Sequence, residues 1–264
     1  MADPATSAQP PATPPRVGLF VTCLVDLVRP QVGFAAIKLL EAAGCKVEVP
    51  RAQTCCGQPA FNSGATEMAA GIARQVIAAF EPFDYVVVPS GSCGGMIKAH
   101  YKEALNGDPA WEARAEALSA KTHELMSFLV KVRGWRPSGV RLEATATYHD
   151  SCSGLRELGI FAEPRALLGA VEGLTLKPLP GNDVCCGFGG TFCVKYPAIS
   201  NAIVAEKAAA ITSTGADMLL GGDLGCLMNM AGKLSREGAK VRVMHTAEVL
   251  VGGGAAPAIG EEGK

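Results

Sequence analysis

The tripeptide Cys-Cys-Gly occurs twice in this chain, as Cys55-Cys56-Gly57 and Cys185-Cys186-Gly187. Each copy lies between two lone cysteines. Cys23 precedes the first pair with 31 residues between, and Cys152 precedes the second with 32. Cys93 follows the first pair with 36 residues between, and Cys226 follows the second with 39. Eight of the ten cysteines therefore form two matching sets of four, offset by 129, 130 and 133 residues. A match that spans the chain marks an internal duplication, and any fold must build the same arrangement twice.

The 264 residues suffice for two halves that each bury a core. We read residues 16–137 as the first half, 138–251 as the second, and 252–264 as a flexible Gly/Ala/Glu tail. Residues 1–15 are rich in Pro and Ala and lack an apolar signal core, so they read as a disordered tail. The net charge of −1 gives no basic face for nucleic acid. No apolar run reaches the length of a membrane span, and without an export signal a cytoplasmic location is expected. In that reducing compartment a cysteine set points to metal or redox chemistry before disulfides.

Short apolar runs alternate with helical spacing. Residues 16–22 read as a strand ending at Cys23. A helix opens at Pro30 and runs to about Gly44, and Val47–Val49 gives a second strand before the Cys55-Cys56 loop. Asn62 or Ser63 is expected to cap a helix through Phe80. Tyr85–Val88 is a third strand, ending just before Cys93; more helix is expected from Ile97 to Leu105 and from Trp111 to Val132. The second half repeats the order. Strands near Ala144–Tyr148, Leu174–Leu176, Met218–Leu220 and Val241–Met244 are interleaved with helices, one opening at Pro197. The expected fold is α/β, two pseudo-repeated halves, each a small parallel sheet flanked by helices. Sites in such sheets form beyond the carboxyl ends of strands, where the cysteines of each set can converge.

Four thiolates at one place suit a metal centre. Structural zinc sites usually draw on short C-x₂₋₄-C knuckles, which this chain lacks. Adjacent cysteines in extended backbone point to opposite faces, so binding two atoms of one polynuclear cluster is easier than chelating one ion. Gly57 and Gly187 allow the tight turn that either would need. Iron–sulfur ligation is the leading reading, with zinc in one half as the alternative.

The pattern C-x₃₁₋₃₂-CCG-x₃₆₋₃₉-C, twice, resembles the cysteine-rich CCG-domain family, which includes the CCG-bearing chain of heterodisulfide reductases and the iron–sulfur subunit of glycolate oxidase. The stretches Phe20–Leu27, Gln53–Asn62, Pro89–Met96 and Cys185–Phe192 resemble its lactate-utilization branch, whose CCG-type subunit belongs to a three-protein L-lactate dehydrogenase complex. The resemblance covers roughly residues 16–251. It implies that Cys23, Cys55, Cys56 and Cys93 ligate one iron–sulfur cluster, and Cys152, Cys185, Cys186 and Cys226 another. It further implies an electron-transfer subunit in oxidation of L-lactate to pyruvate, with a ferredoxin-like iron–sulfur subunit and a third subunit as partners. The heterodisulfide reductase chain ends each motif with a further cysteine; here Met96 and Asn229 stand at those positions. Four thiolates suit a [4Fe–4S] centre with one cysteine per iron. The missing fifth argues against the other reading that the resemblance offers, a disulfide-reducing subunit. A zinc-stabilised scaffold is the remaining competitor.

Other residues have plainer readings. Cys45 and Cys193 read as packing residues, and Met96 as core filling. His149, three residues before Cys152, reads as a hydrogen-bonded residue at a strand end rather than a proton donor or base. Capping or packing suffices for His123 and His245. Gly187–Gly190 resembles a phosphate loop only in its glycine count, and no Lys-Ser/Thr follows.

Overall fold

A computed structural model describes residues 13–261. The expected N-terminal tail lies outside these residues up to position 12. The first half holds four strands, β1 (Arg16–Leu19), β2 (Lys46–Glu48), β3 (Tyr85–Val88) and β4 (Thr122–Glu124). The second holds β5 (Arg141–His149), β6 (Glu172–Lys177), β7 (Met218–Gly221) and β8 (Arg242–His245). The sheets run β2-β1-β3-β4 and β6-β5-β7-β8, with every pairing parallel. The same order in both halves is the cysteine duplication written in backbone.

Parallel strands need crossover helices, and these cover both faces. The central strands are accordingly apolar throughout: Val86, Val87 and Val88 of β3 are buried, as are Met218, Leu219 and Leu220 of β7. Register fixes which strand ends lie side by side. Leu19 pairs with Val87, and His149 with Gly221, so the segments leaving β1 and β3, or β5 and β7, emerge together.

Two expectations about helices need correction. Helix was expected without a break from Trp111 to Val132. It ends at Lys121, and β4 adds to β3 through Val86–Thr122, Val87–His123 and Val88–Glu124 before helix resumes at Leu125. A three-residue strand is too short to show a period of two, so the helical pattern on either side hid it. Thr122 marks the stop: its Oγ1 donates back to the Leu118 carbonyl at 2.7 Å, and its backbone turns extended. The second concerns the helix expected to be capped at Asn62 or Ser63. It starts at Thr66, because Gly57, in the left-handed region, first opens a separate turn over Gln58–Phe61.

The halves are fused by a common core. One buried cluster draws Val17, Leu19, Leu39 and Leu40 from the first half and Ala146, Met218, Met244 and Leu250 from the second. The helix Thr246–Leu250 packs on the helix Pro30–Ala42. Beside them Arg29 Nε donates to both carboxylate oxygens of Glu248, at 3.0 and 2.9 Å. The C-terminal segment, expected to be free, is docked over its described part. Ile259 N–H donates to Val243 O at 2.8 Å, Arg242 Nη2 to Ala256 O at 2.6 Å, and Arg29 Nη2 to Pro257 O at 2.7 Å. Among the described residues, no helix is long and apolar enough to cross a membrane.

Candidate metal centres

Each cysteine set is assembled at the carboxyl ends of the strands by matching devices. Thr22 follows β1 and caps the helix Cys23–Val28, its Oγ1 accepting from Val25 N at 3.3 Å. Ser151 follows β5 and caps the helix Cys152–Arg156, its Oγ accepting from Gly154 N at 3.3 Å. Cys23 and Cys152 are therefore the first residues of short helices. Ser90, beyond β3, accepts from Cys93 N at 3.3 Å.

The Cys-Cys-Gly turns also match. Gly57 has φ +88° and Gly187 φ +81°, a conformation costly for any residue with a Cβ. In that turn Gly57 N–H donates to Cys55 Sγ at 3.4 Å, and Gly187 N–H to Cys185 Sγ at 3.3 Å. The next carbonyl is pinned in each half by an unrelated donor. Tyr101 Oη donates to Cys56 O at 3.0 Å, and Asn229 Nδ2 to Cys186 O at 2.8 Å. Asn229 stands where the fifth cysteine of the resembled pattern would be, and it holds the turn rather than leaving a gap.

All eight cysteines singled out by spacing converge, four per half. Neighbouring sulfurs lie within interaction range in a string, Cys23–Cys55–Cys56–Cys93 and Cys152–Cys185–Cys186–Cys226. The thiols of Cys23 and then Cys56, with the Gly57 N–H, pull the Cys55 thiol far below its usual range. Cys152, Cys186 and the Gly187 N–H do the same to Cys185. The neighbours move the other way: hydrogen bonding to Cys55 and burial push Cys23 up, and hydrogen bonding to Cys185 and burial push Cys152 up. Ionising Cys23 and Cys56, or Cys152, Cys186 and Cys226, beside that thiolate calls for a cation at the sulfurs, which is what a metal centre supplies. A soft, all-sulfur donor set of this kind fits an iron–sulfur cluster or zinc.

The two sets are adjacent and unlike in their surroundings. The first opens on a cavity of about 230 Å³, lined by its four cysteines and also by Phe188, Asp223 and Gly225 of the second half. Glycine permits the approach of the halves. A Cβ on Gly91 would lie 2.5 Å from Ser151 Oγ and 2.9 Å from Gly154 Cα, and one on Gly94 3.3 Å from the Leu158 side chain.

A histidine stands beside the second set. His149 is 1% exposed, and neither ring nitrogen has a hydrogen-bond partner. One of its nitrogens and the sulfurs of Cys186 and Cys226 lie within 4.8 Å of one another. The reading of His149 as a hydrogen-bonded strand-end residue is thus overturned: it is unpaired and points at the sulfurs. Burial, and next the charge of Lys207, push its pKa down to about 4. Lys207 is 2% exposed and donates to Gly181 O at 2.5 Å and Asn182 O at 3.3 Å, in the loop leading to Cys185. Asn182 Nδ2 in turn donates to Asp150 at 2.6 Å, and Arg165 holds Asp150 by two bonds of 2.8 and 2.7 Å.

Cysteine spacing says nothing of the roles that Lys207, Asn229, Tyr101 and Asp223 take. Only Lys207 leaves a signal, a lysine within the stripe Val204, Ala208, Ile211 of the helix Pro197–Ser213. The remaining candidates fall outside the sets. Cys45 and Met96 are buried in separate core clusters. Cys193 Sγ donates to Gly190 O at 3.4 Å. His123 lies on β4 against Tyr85 and Phe128, with ring centroids 5.8 and 5.7 Å away. His245 caps the helix Thr246–Leu250 and contacts Pro89 O at 3.2 Å.

Comparison with known proteins agrees with this arrangement. The cysteine-rich domain family CCG matches twice, at residues 17–98 and 146–231. Lactate utilization protein A of Geobacillus kaustophilus is 52% identical over 235 residues, which cover 89% of this chain and 98% of that protein. Its counterpart in Bacillus velezensis is 50% identical with the same coverage. Among solved structures, a hypothetical protein from Helicobacter pylori superposes with a TM-score of 0.65 at 14% identity, over 98% of this chain and 52% of that one, and so shares the fold. The chain belongs to the cysteine-rich CCG-domain family, as a two-repeat member of its lactate utilization protein A group.

Proposed function

We propose that the chain is the iron–sulfur electron-transfer subunit of a cytoplasmic complex that oxidises L-lactate to pyruvate. The observation that carries this reading is the duplicate convergence of four cysteines at strand ends, in a chain about half identical to proteins named for lactate utilization. Cys23, Cys55, Cys56 and Cys93 would hold one cluster, and Cys152, Cys185, Cys186 and Cys226 another, each suited to [4Fe–4S]. Such clusters supply one-electron storage and transfer. The protein's own part is to fix the thiols, point the N–H groups of Gly57 and Gly187 at sulfur, and bury Cys56 and Cys186 from water. A ferredoxin-like iron–sulfur subunit and a third subunit complete the proposed complex.

A zinc-holding second half is the competing reading, favoured by the compact His149–Cys186–Cys226 group. Anaerobic purification with iron, acid-labile sulfide and zinc analysis, and EPR of the reduced protein, separates the two. Iron and sulfide in both halves support the relay. A colourless protein with zinc and no labile sulfide would refute it.

A further inference from the structure

The duplication makes each half a control for the other. His149 stands three residues before Cys152, and Phe20 three before Cys23. Both are buried at the ends of their strands. A Cβ on Gly57 would meet Ile72 and the Ala69 carbonyl; one on Gly187 would meet Ile203 and the Ser200 carbonyl. The helices after the two turns therefore align with Ala69 on Ser200 and Ile72 on Ile203, and the same step carries Val76 onto Lys207. Val76 is fully buried and Lys207 nearly so. At two matched interior positions the first half thus has Phe and Val, and the second has His and Lys.

Neither basic residue is explained by packing. An imidazole without a partner in a dry interior is destabilising against an apolar side chain of its shape. The equivalent Phe20 shows that the fold accepts one. Lys207 does brace the loop before Cys185, but a buried ammonium is an expensive brace. Its charge is felt at Cys186 and Cys185, and also at His149. A donor and a positive charge beside a centre stabilise its more negative, reduced state.

We propose that His149 and Lys207 make the second centre the electron acceptor of the pair, so that electrons arriving at the first centre pass to the second. With a centre bound, His149 would direct an N–H towards the sulfurs of Cys186 and Cys226, and Lys207 would supply a positive charge. The transfer would be of one electron, oxidising the first centre and reducing the second, with no bond to the protein broken and no proton moved. The first set, open on its cavity, is the entry side. The inference rests on the iron–sulfur reading, and both residues act as tuning residues rather than ligands.

The test is a potentiometric titration of the anaerobically purified full chain with dithionite, read by EPR. Cys186→Ser identifies the signal of the second centre by removing it. In the unaltered chain that signal should have the higher midpoint. His149→Phe, which installs the first-half residue, and Lys207→Met should each lower it and leave the other signal in place; Lys207→Arg should restore it. Iron and sulfide counts equal to the unaltered chain show that a variant is loaded, and His149→Gln replaces His149→Phe if that variant loses iron. Two signals that titrate together, or variants that shift both or neither, would overturn the inference while leaving the relay reading intact. A second half loaded with zinc overturns it too. Absence of iron from both halves instead removes the relay reading itself.

Discussion

Ser90 Oγ donates to Asp223 Oδ2 at 2.9 Å, and the Ser92 N–H donates to the same oxygen at 2.9 Å. Ser90 is three residues before Cys93, and Asp223 three before Cys226, so the two occupy matching places in the repeat. They meet because the cysteine-bearing strand ends of both halves face each other. Asp223 thereby ties the helix carrying Cys93 to the start of the helix carrying Cys226. Both side chains are buried, so truncation leaves donors without water.

Asp223→Ala should therefore lower stability by about 1–3 kcal/mol, and Asp223→Asn, which keeps an acceptor, by less. Chemical denaturation of the metal-free chain measures both. Equal losses for the two variants would show that the bonds to Ser90 and Ser92 do not bear on stability.

The turn glycines give a graded prediction. Gly57→Ala and Gly187→Ala both force a Cβ into positive φ, at about 1–2 kcal/mol each. Gly187→Ala adds a collision at 2.7 Å with the Ser200 carbonyl, which is backbone and cannot swing away. At Gly57 the nearest obstacle is the Ile72 side chain at 3.3 Å. Gly187→Ala should lower the melting temperature more, and iron loading of the second half should fail before that of the first. The order of the two melting temperatures is the check.

Much of this was legible because cysteine spacing survives as strand-end position. The set 23, 55, 56, 93 and its copy needed only the rule that parallel-sheet sites form beyond strand carboxyl ends. What was illegible is what spacing does not encode. β4 is three residues long and carries no period of its own. His149 looked like any polar strand end, because the lack of a partner is a property of its surroundings. The Ser90–Asp223 bond joins positions 133 apart and has no signature in either neighbourhood. Residues 252–261 are mostly Gly and Ala, yet their backbone is tied down by Arg29 and Arg242, whose targets a sequence does not name.

Glu124, buried beside Tyr148 and the Asp223 side of the interface, sets a pH dependence. Burial raises its pKa to about 7, against the hydrogen bonds from the Ser127 and Met126 N–H groups. The folded chain thus holds this proton more tightly than the unfolded chain does. The stability it contributes is complete below the unfolded value of 4.5 and is lost as pH rises through about 7. Glu124→Gln keeps the acceptor for Ser127 N–H and never ionises. It should be more stable than the unaltered chain above neutral pH, by up to about 3 kcal/mol, and should flatten the profile between the two values. Denaturation midpoints across that range decide it; parallel profiles would mean that Glu124 is already ionised in the fold.

Cysteine replacement separates a sulfur that packs from a sulfur that ligates. Cys45 is 7% exposed in the core shared by both halves, outside either set. Its thiol is pushed up by burial, as expected of an inert, apolar neighbour. Cys45→Ser buries a hydroxyl there and should cost about 1–3 kcal/mol with no change in iron per chain. Cys56 is as buried as Cys45, but its carbonyl is pinned by Tyr101 and its sulfur lies between those of Cys55 and Cys93. Cys56→Ala removes a sulfur from the middle of the first string, and iron per chain should fall to about half, since the second string keeps all four of its thiolates. Cys56→Ala and Cys186→Ala should remove different EPR signals, and the double variant all of the iron. If instead Cys45→Ser released iron while Cys56→Ala kept it, the two strings of sulfur would be packing and not ligands.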